Sequence, residues 1–417
     1  MARTVAGLPE GTRVTDYISL GVIARAFPLP AIHRILEETG RASRRQRELP
    51  AHVVVYYVIA LALYMQVSCR EVLRCLLEGM RWLAEPDATF RPAGASAISQ
   101  ARSRLGAEPV RRLCAEVVGP VATPQTPGAW YRKRRLVSLD GSTLDVGDTR
   151  ANEKAFGRPA SSRGANDTGA FPQLRLVGLV ETGTHVVFGS AIGAYTDSEV
   201  DLAREVLAAL RPDMLCLADR GFTGFDLWRE ALATGAALAW RAKKNMRFPV
   251  EERFADGSWR STLRWNRFCR SADRTPIPVR VLEYELPGVP GAEPCYRIVT
   301  SLLDPQEAPA PELAVLYHER WEIETAFDEL KTHLRGARVV LRSKTPELVL
   351  QEAWGFLLAH YAVRDLMHQA ALAATPRARD PDSLSFVHAV RVIRRTLPRV
   401  AALPPSGPDA GPQRHPP

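Results

Sequence analysis

Apolar positions recur three and four residues apart through the first third of the chain. They do so in Ile23–Ala26–Phe27, in Val72–Leu73–Leu76–Leu77 and around Leu113–Val117–Val118, and the run Val53–Met65 is apolar throughout. This spacing predicts a helical region over residues 18–120. Pro50 suits the start of a helix, and the run behind it is short of the roughly 20 residues needed to span a bilayer. It therefore reads as a buried helix. Pro120–Pro127 then reads as a linker. Beyond it the period changes: Leu136–Asp140, Leu174–Val180, His185–Ile192, Met214–Asp219, Ala237–Trp240 and Arg297–Leu303 read as strands. Asp197–Leu210, Phe225–Thr234, Pro311–Leu334 and Val349–Ala370 read as helices. Strands followed by alternating helix and strand predict an α/β fold with a mixed sheet and flanking helices over residues 130–375. Residues 246–296 lack a helical period and read as a β-rich insertion. A helical segment is expected over 376–402, and a disordered tail over 403–417, where six of fifteen residues are proline.

Charge adds a class of partner. Of 417 residues, 55 are Lys or Arg and 46 are Asp or Glu, a formal excess of +9. A basic chain favours an anionic partner, nucleic acid before a membrane surface. The clusters are Arg41, Arg44, Arg45 and Arg47 between two predicted helices, and Arg132–Lys133–Arg134–Arg135 ahead of the first strand. The first reads equally as a solvated loop or as a phosphate-contacting edge of a DNA-binding helical domain. Six cysteines without a CxxC pair and nine histidines without HxH or HxxxH spacing argue against a zinc site. The N-terminus has no apolar stretch behind Arg3, so no signal peptide is read. A soluble protein of a reducing compartment is expected. No GxxxxGK[ST] loop is present, which disfavours a nucleotide-driven motor.

Three carboxylates stand out by position. Asp140 and Asp219 each close an apolar strand and precede a glycine-containing turn, where open α/β sheets place their ligand crevices. A turn-forming aspartate accounts for either one alone; two on one sheet suggest a metal site. The third lies on the helix after Pro311. Advancing about 100° per residue, Tyr317, Arg320, Glu324 and Lys331 share a stripe roughly 60° wide. Leu316, Ile323, Phe327, Leu330 and Leu334 form the adjacent core-facing stripe. Glu319, Glu322 and Glu329 fall on the far side and are expected to face solvent. Charged groups bordering a buried face must find partners. An internal salt-bridge network would serve, and so would a site in which Glu324 joins the two aspartates on a metal while Arg320 and Lys331 hold phosphates.

At these residues the chain resembles the DDE transposases of bacterial insertion sequences, in the insertion-sequence-4 branch. The branch's Tyr-x(2)-Arg-x(3)-Glu-x(6)-Lys signature is matched by Tyr317, Arg320, Glu324 and Lys331. Leu139–Asp140–Gly141–Ser142–Thr143 and Asp219–Arg220–Gly221–Phe222 match the contexts of its first and second aspartates. The segment 158–173, with Arg163, also looks like the family, and the resemblance runs from about 18 to 395. It implies a ribonuclease-H-like core, with Asp140, Asp219 and Glu324 binding two Mg²⁺ ions and Mn²⁺ as a substitute. It implies cleavage at element ends and transfer of the 3′-hydroxyl to target DNA, with a hairpin as an optional step. Tyr317, Arg320 and Lys331 would contact end phosphates, with Arg163, Arg134 and Arg45 as further DNA-binding candidates. Trp259 or Trp265 of the insertion would receive a flipped base. A homodimer on paired double-stranded ends and a cytoplasmic, nucleoid-associated location are expected. The rival reading is an inactive, transposase-derived DNA-binding protein.

Overall fold

The computed structural model describes residues 20–44, 49–65, 67–84, 94–159, 171–267, 269–286, 293–334, 340–374 and 379–395. Six helices open it: α1 (Leu20–Ala26), α2 (Leu29–Glu38), α3 (Ala51–Leu63), α4 (Cys69–Ala84), α5 (Ala95–Leu105) and α6 (Glu108–Val117). Pro50 precedes α3 in extended conformation, and α3 is buried from Val53 to Leu63. Its two tyrosines find acceptors that let them stay inside: the Tyr56 hydroxyl donates to Phe27 O at 2.9 Å and that of Tyr57 to Cys69 O at 3.0 Å. No described helix is long and apolar enough to cross a membrane, and all six cysteines are free.

The sheet follows, with β1 (Trp130–Tyr131), β2 (Arg134–Asp145), α7 (Arg150–Phe156), β3 (Gln173–Glu181), β4 (Val186–Ala194), α8 (Glu199–Val206), β5 (Met214–Ala218), α9 (Phe225–Ala233) and β6 (Ala237–Arg241). Then come β7 (Glu252–Arg253), β8 (Trp259–Leu263), β9 (Ile277–Tyr284), β10 (Tyr296–Thr300), α10 (Ala310–His318), α11 (Glu322–Asp328), α12 (Pro346–Leu372) and α13 (Phe386–Arg395). The strand order is β4-β3-β2-β5-β6-β10-β9-β8-β7, with β1 beside the start of β2. β5 and β6 run parallel to β2, whereas β3 and β4 form an antiparallel meander on its other side. This is a mixed α/β, ribonuclease-H-like sheet flanked by helices. The insertion is β-rich, and its strands continue the main sheet, because β10 returns antiparallel to β6 and carries β9 and β8 with it.

One apolar cluster joins the opening helices to the sheet. It runs from Ile23 and Val58 through Leu139 and Leu179 to Phe356 and Leu357 on α12. α12 lies against α3 so closely that a Cβ on Gly355 would stand 2.8 Å from Val58 O. The Pro-rich connector is pinned down. The buried Glu181 carboxylate accepts from Val121 N and Ala122 N, each at 2.9 Å, and Thr126 Oγ1 meets His368 Nε2 at 2.8 Å.

Two of the acids expected in solvent are not there. Glu329 is only 4% exposed, with Arg364 Nε donating to it at 2.8 Å and His360 Nε2 at 3.3 Å. Glu322 hydrogen-bonds the buried His185, which also lies 3.3 Å from Asp382. A helical wheel knows only its own helix. Here α12, the β3–β4 turn and the segment before α13 cover the face that the wheel leaves open. Burial would raise the Glu329 carboxyl, yet the bonds from His185 and His360 and the Arg364 charge hold it well below the carboxylate range.

Candidate active site

The last paired residues of β2 and β5 are Leu139 and Ala218. Asp219 follows the last residue of β5, but Asp140 does not close its strand as expected, because β2 runs on to Asp145 in register with β3. The two acids still stand side by side where the β2–β5 pairing ends, on neighbouring parallel strands about 4.8 Å apart. Each carboxylate is steadied by local backbone. Gly141 N donates to Asp140 Oδ1 at 2.8 Å, and Gly221 N donates to Asp219 Oδ1 at 2.5 Å.

The third segment crosses this edge. The predicted helix after Pro311 is continuous but changes winding, from α10 through a 3₁₀ turn at Glu319–Trp321 into α11 and then a π-type turn at Glu329–Leu334. Such changes of pitch recur at functional sites. All four members of the Tyr-Arg-Glu-Lys stripe reach the sheet edge or its bridging arginine. The Tyr317 hydroxyl donates to Ala218 O, immediately before Asp219, at 3.1 Å. Arg320 donates through Nη1 to Asp140 Oδ2 at 3.0 Å and through Nη2 to Glu324 Oε1 at 3.4 Å. Lys331 Nζ donates to Ser142 Oγ at 3.0 Å. The salt bridges left open by the sequence therefore exist, and they link two of the candidate acids, Asp140 and Glu324, through Arg320.

Electrostatics at this edge favour added positive charge. Burial, with Asp219 and Glu199 nearby, pushes the Asp140 carboxyl up to about 6, although the Gly141 amide and Arg320 pull the other way. Burial opposes the Arg320 charge, but Tyr317, Asp140 and Glu324 together keep it above its ordinary value. Arg320 Nε is buried without an acceptor among the described residues. Burial also raises the Tyr317 phenol. Carboxylate oxygens from three non-adjacent segments, one with its ionised form disfavoured, suit a hard divalent cation such as Mg²⁺ or Mn²⁺.

Other candidates are placed differently. Arg134 lies six residues before Asp140 on β2, roughly 20 Å along the strand, and pairs with Glu307 at 2.6 Å. Its neighbours are paired too, Arg132 with Glu312 at 3.1 Å and Arg135 with Glu181. This cluster is therefore largely neutralised away from the acids. Arg45 and Arg163 lie outside the described residues. Of the two tryptophans, Trp259 is buried and donates to Phe248 O at 3.3 Å. Trp265 is 41% exposed and packs edge-on against Phe225, just past Asp219.

Two features of the site escaped the sequence reading. Glu199, in the first turn of α8, comes close to Asp140, but nothing local marks it because Gly141, its neighbour in space, lies 58 positions away. Arg220, Arg241 and Lys244 gather on Glu293 at 3.0, 2.9 and 3.2 Å beside Asp219. Only Arg220 was visible beforehand, as part of the Asp-Arg-Gly-Phe motif.

A ribonuclease-H-like sheet with acids converging at one edge defines a class of enzymes that act on phosphodiesters. Residues 131–361 match the family described as Transposase DDE domain, and residues 17–115 match the Insertion element 4 transposase N-terminal family. The chain belongs to the DDE transposases, a divalent-metal-dependent enzyme family, in its insertion-sequence-4 branch. The transposase InsG for insertion sequence element IS4 of Escherichia coli (strain K12) is 29% identical over 374 residues, covering 88% of this chain and 80% of that one. The putative transposase InsZ of the same organism is 25% identical over 209 residues, covering 50% of this chain and 66% of the relative. Among solved structures, a piggyBac transposase synaptic complex with hairpin DNA aligns over 92% of this chain and 81% of that one, with a TM-score of 0.47 and 11% identity.

Proposed function

We propose that the protein cuts double-stranded DNA at the terminal inverted repeats of an insertion element and joins the freed 3′-hydroxyl to target DNA, with Asp140, Asp219 and Glu324 holding two Mg²⁺ ions. The observation that carries this reading is Arg320, which bridges Asp140 to Glu324 at the edge where Asp219 also emerges. Divalent ions held by these acids would supply activation of the attacking hydroxyl and charge stabilisation for the leaving oxygen. Oxygen ligands alone favour Mg²⁺, and Mn²⁺ is an acceptable substitute.

The remaining work falls to the chain's own groups. Arg320 turns its guanidinium from carboxylates to a phosphate, which it can grip through two parallel N–H bonds. Lys331 adds a point charge on the Ser142 side. Tyr317 holds the turn of Asp219 through the Ala218 carbonyl. Trp265 is the aromatic of the insertion free to receive a displaced base, since Trp259 serves the core. A second copy of the chain would hold the partner end, in the cytoplasm where element and target meet, and a hairpin forms where the freed 3′-hydroxyl attacks its own complementary strand before target DNA.

The test is cleavage of element-end DNA in Mg²⁺. Asp140→Ala, Asp219→Ala and Glu324→Ala should each cost at least about a thousandfold in rate, equivalent to ~4 kcal/mol of barrier, while end binding persists. Full activity in any one of them would overturn the assignment. Detection of joined as well as nicked product distinguishes transfer from simple hydrolysis.

A further inference from the structure

The Glu199 carboxylate is half-buried and lies against the backbone of Gly141. A Cβ on Gly141 would stand 2.0 Å from Glu199 Oε1 and 2.9 Å from its Cδ, so no other residue fits there without moving Glu199. Successive side chains of a strand point to opposite faces. Asp140 and Ser142 point to the face where Arg320 and Lys331 sit. Gly141 belongs to the other face, and its missing side chain opens the way for Glu199 to reach the strand edge from α8.

The carboxylate has no adequate partner once there. Among the described residues nothing donates a hydrogen bond to it. Its nearest cation, Arg175 Nη1, stands 3.9 Å away, and Arg175 Nη2 is committed to Tyr195 O at 3.1 Å. The other acids drawn inside the protein are satisfied. Glu181 accepts from two amides and from Thr184 Oγ1 at 2.6 Å, and Glu329 is held by Arg364. Glu199 also feels the aspartates. Burial and Asp219 push its carboxyl up against the pull of Arg175, and Glu199 in turn acts on Asp140.

We infer that Glu199 is a fourth acidic ligand of the divalent-metal site, reaching it from the sheet face opposite Glu324. The inference rests on the metal-binding role proposed for Asp140, Asp219 and Glu324. Four carboxylates balance the charge of two divalent ions, which three do not, and this leaves Arg320 free for phosphate. Gly141 then has a defined purpose, because its hydrogen admits the fourth acid.

The test is Mn²⁺ titration calorimetry on the full chain without DNA, for the parent protein and for Glu199→Gln, Gly141→Ala and Asp140→Asn. Glu199→Gln keeps the size and removes the charge; Gly141→Ala keeps the charge and displaces it. Each should weaken Mn²⁺ binding by at least about tenfold. Glu199→Gln should also raise, by a similar factor, the Mn²⁺ concentration that gives half-maximal cleavage of end DNA. Unchanged melting temperatures without metal would show that the variants are folded. Parent-like Mn²⁺ binding in Glu199→Gln, with binding weakened in Asp140→Asn, would overturn the inference alone. Parent-like binding in Asp140→Asn would overturn the metal reading beneath it.

Discussion

Arg320 occupies the position of a counter-ion. Its guanidinium neutralises Asp140 and Glu324 in the protein alone, so a divalent ion must compete with it for the same oxygens. Arg320→Ala should therefore bind Mn²⁺ more tightly than the parent in the absence of DNA, as read by calorimetry. The same variant should bind element ends more weakly and with a salt slope lower by about one, because one phosphate contact is lost. Opposite movement of the two affinities would be hard to obtain from simple misfolding. Asp140 adds a pH signature. Its carboxyl, raised to about 6 by burial and neighbouring acids, binds a proton more tightly folded than unfolded. Its contribution to stability is complete below the unfolded value near 4 and is lost as pH rises towards 6. Metal affinity runs the other way, since the proton competes with the ion. Mn²⁺ binding should weaken as pH falls through 6, and Asp140→Asn should abolish that dependence.

At the scale of elements, the segment from Ala310 to Leu334 works on two sides. Its front presents Tyr317, Arg320 and Lys331 to the sheet edge; its back is clasped by Arg364, His360 and His185 through Glu322 and Glu329. A buried charge left without its partner is costly, about 3–5 kcal/mol. Arg364→Met, which takes the guanidinium away from Glu329, should destabilise the fold by up to that order, read as a lower melting temperature in calorimetric unfolding. The front of this segment was legible because its order of side chains is local: spacing along one helix fixes the stripe. The back was not. Glu322 and Glu329 gave the sequence pattern of a solvated face, and only α12 and the β3–β4 turn, distant in the chain, cover them. His360, Arg364 and His368, spaced four residues apart among the apolar residues of α12, were the available hint.

Across the whole molecule, the helical first third and the sheet share one apolar core through α12. Gly355 faces the backbone of Val58 in that contact. Gly355→Ala would press a methyl group against Val58 backbone, which cannot swing aside as a side chain can, and should destabilise by about 1–3 kcal/mol. Fluorescence and circular dichroism should report the loss as a lower midpoint of a single shared unfolding transition. The +9 excess looks different at this scale as well. Arg132, Arg134 and Arg135 are matched by acids far from the site, whereas Arg220, Arg241 and Lys244 surround Glu293 next to Asp219. Net charge identifies the class of partner but not the face that meets it.

The sequence by itself determined the helical first third, most of the sheet strands and their alternation with helices, and the choice of Asp140, Asp219 and Glu324 as candidate acids, though not α7 or the length of β2. Periodicity, strand ends and motif spacing are properties of short stretches of chain. Tertiary structure alone decided that the insertion extends the main sheet, that Arg320 ties two of the three acids together, and that Glu199 reaches Gly141 through the opposite face. Each of these depends on segments far apart in the chain, and their approach is set by the packing of layers, which no local pattern encodes.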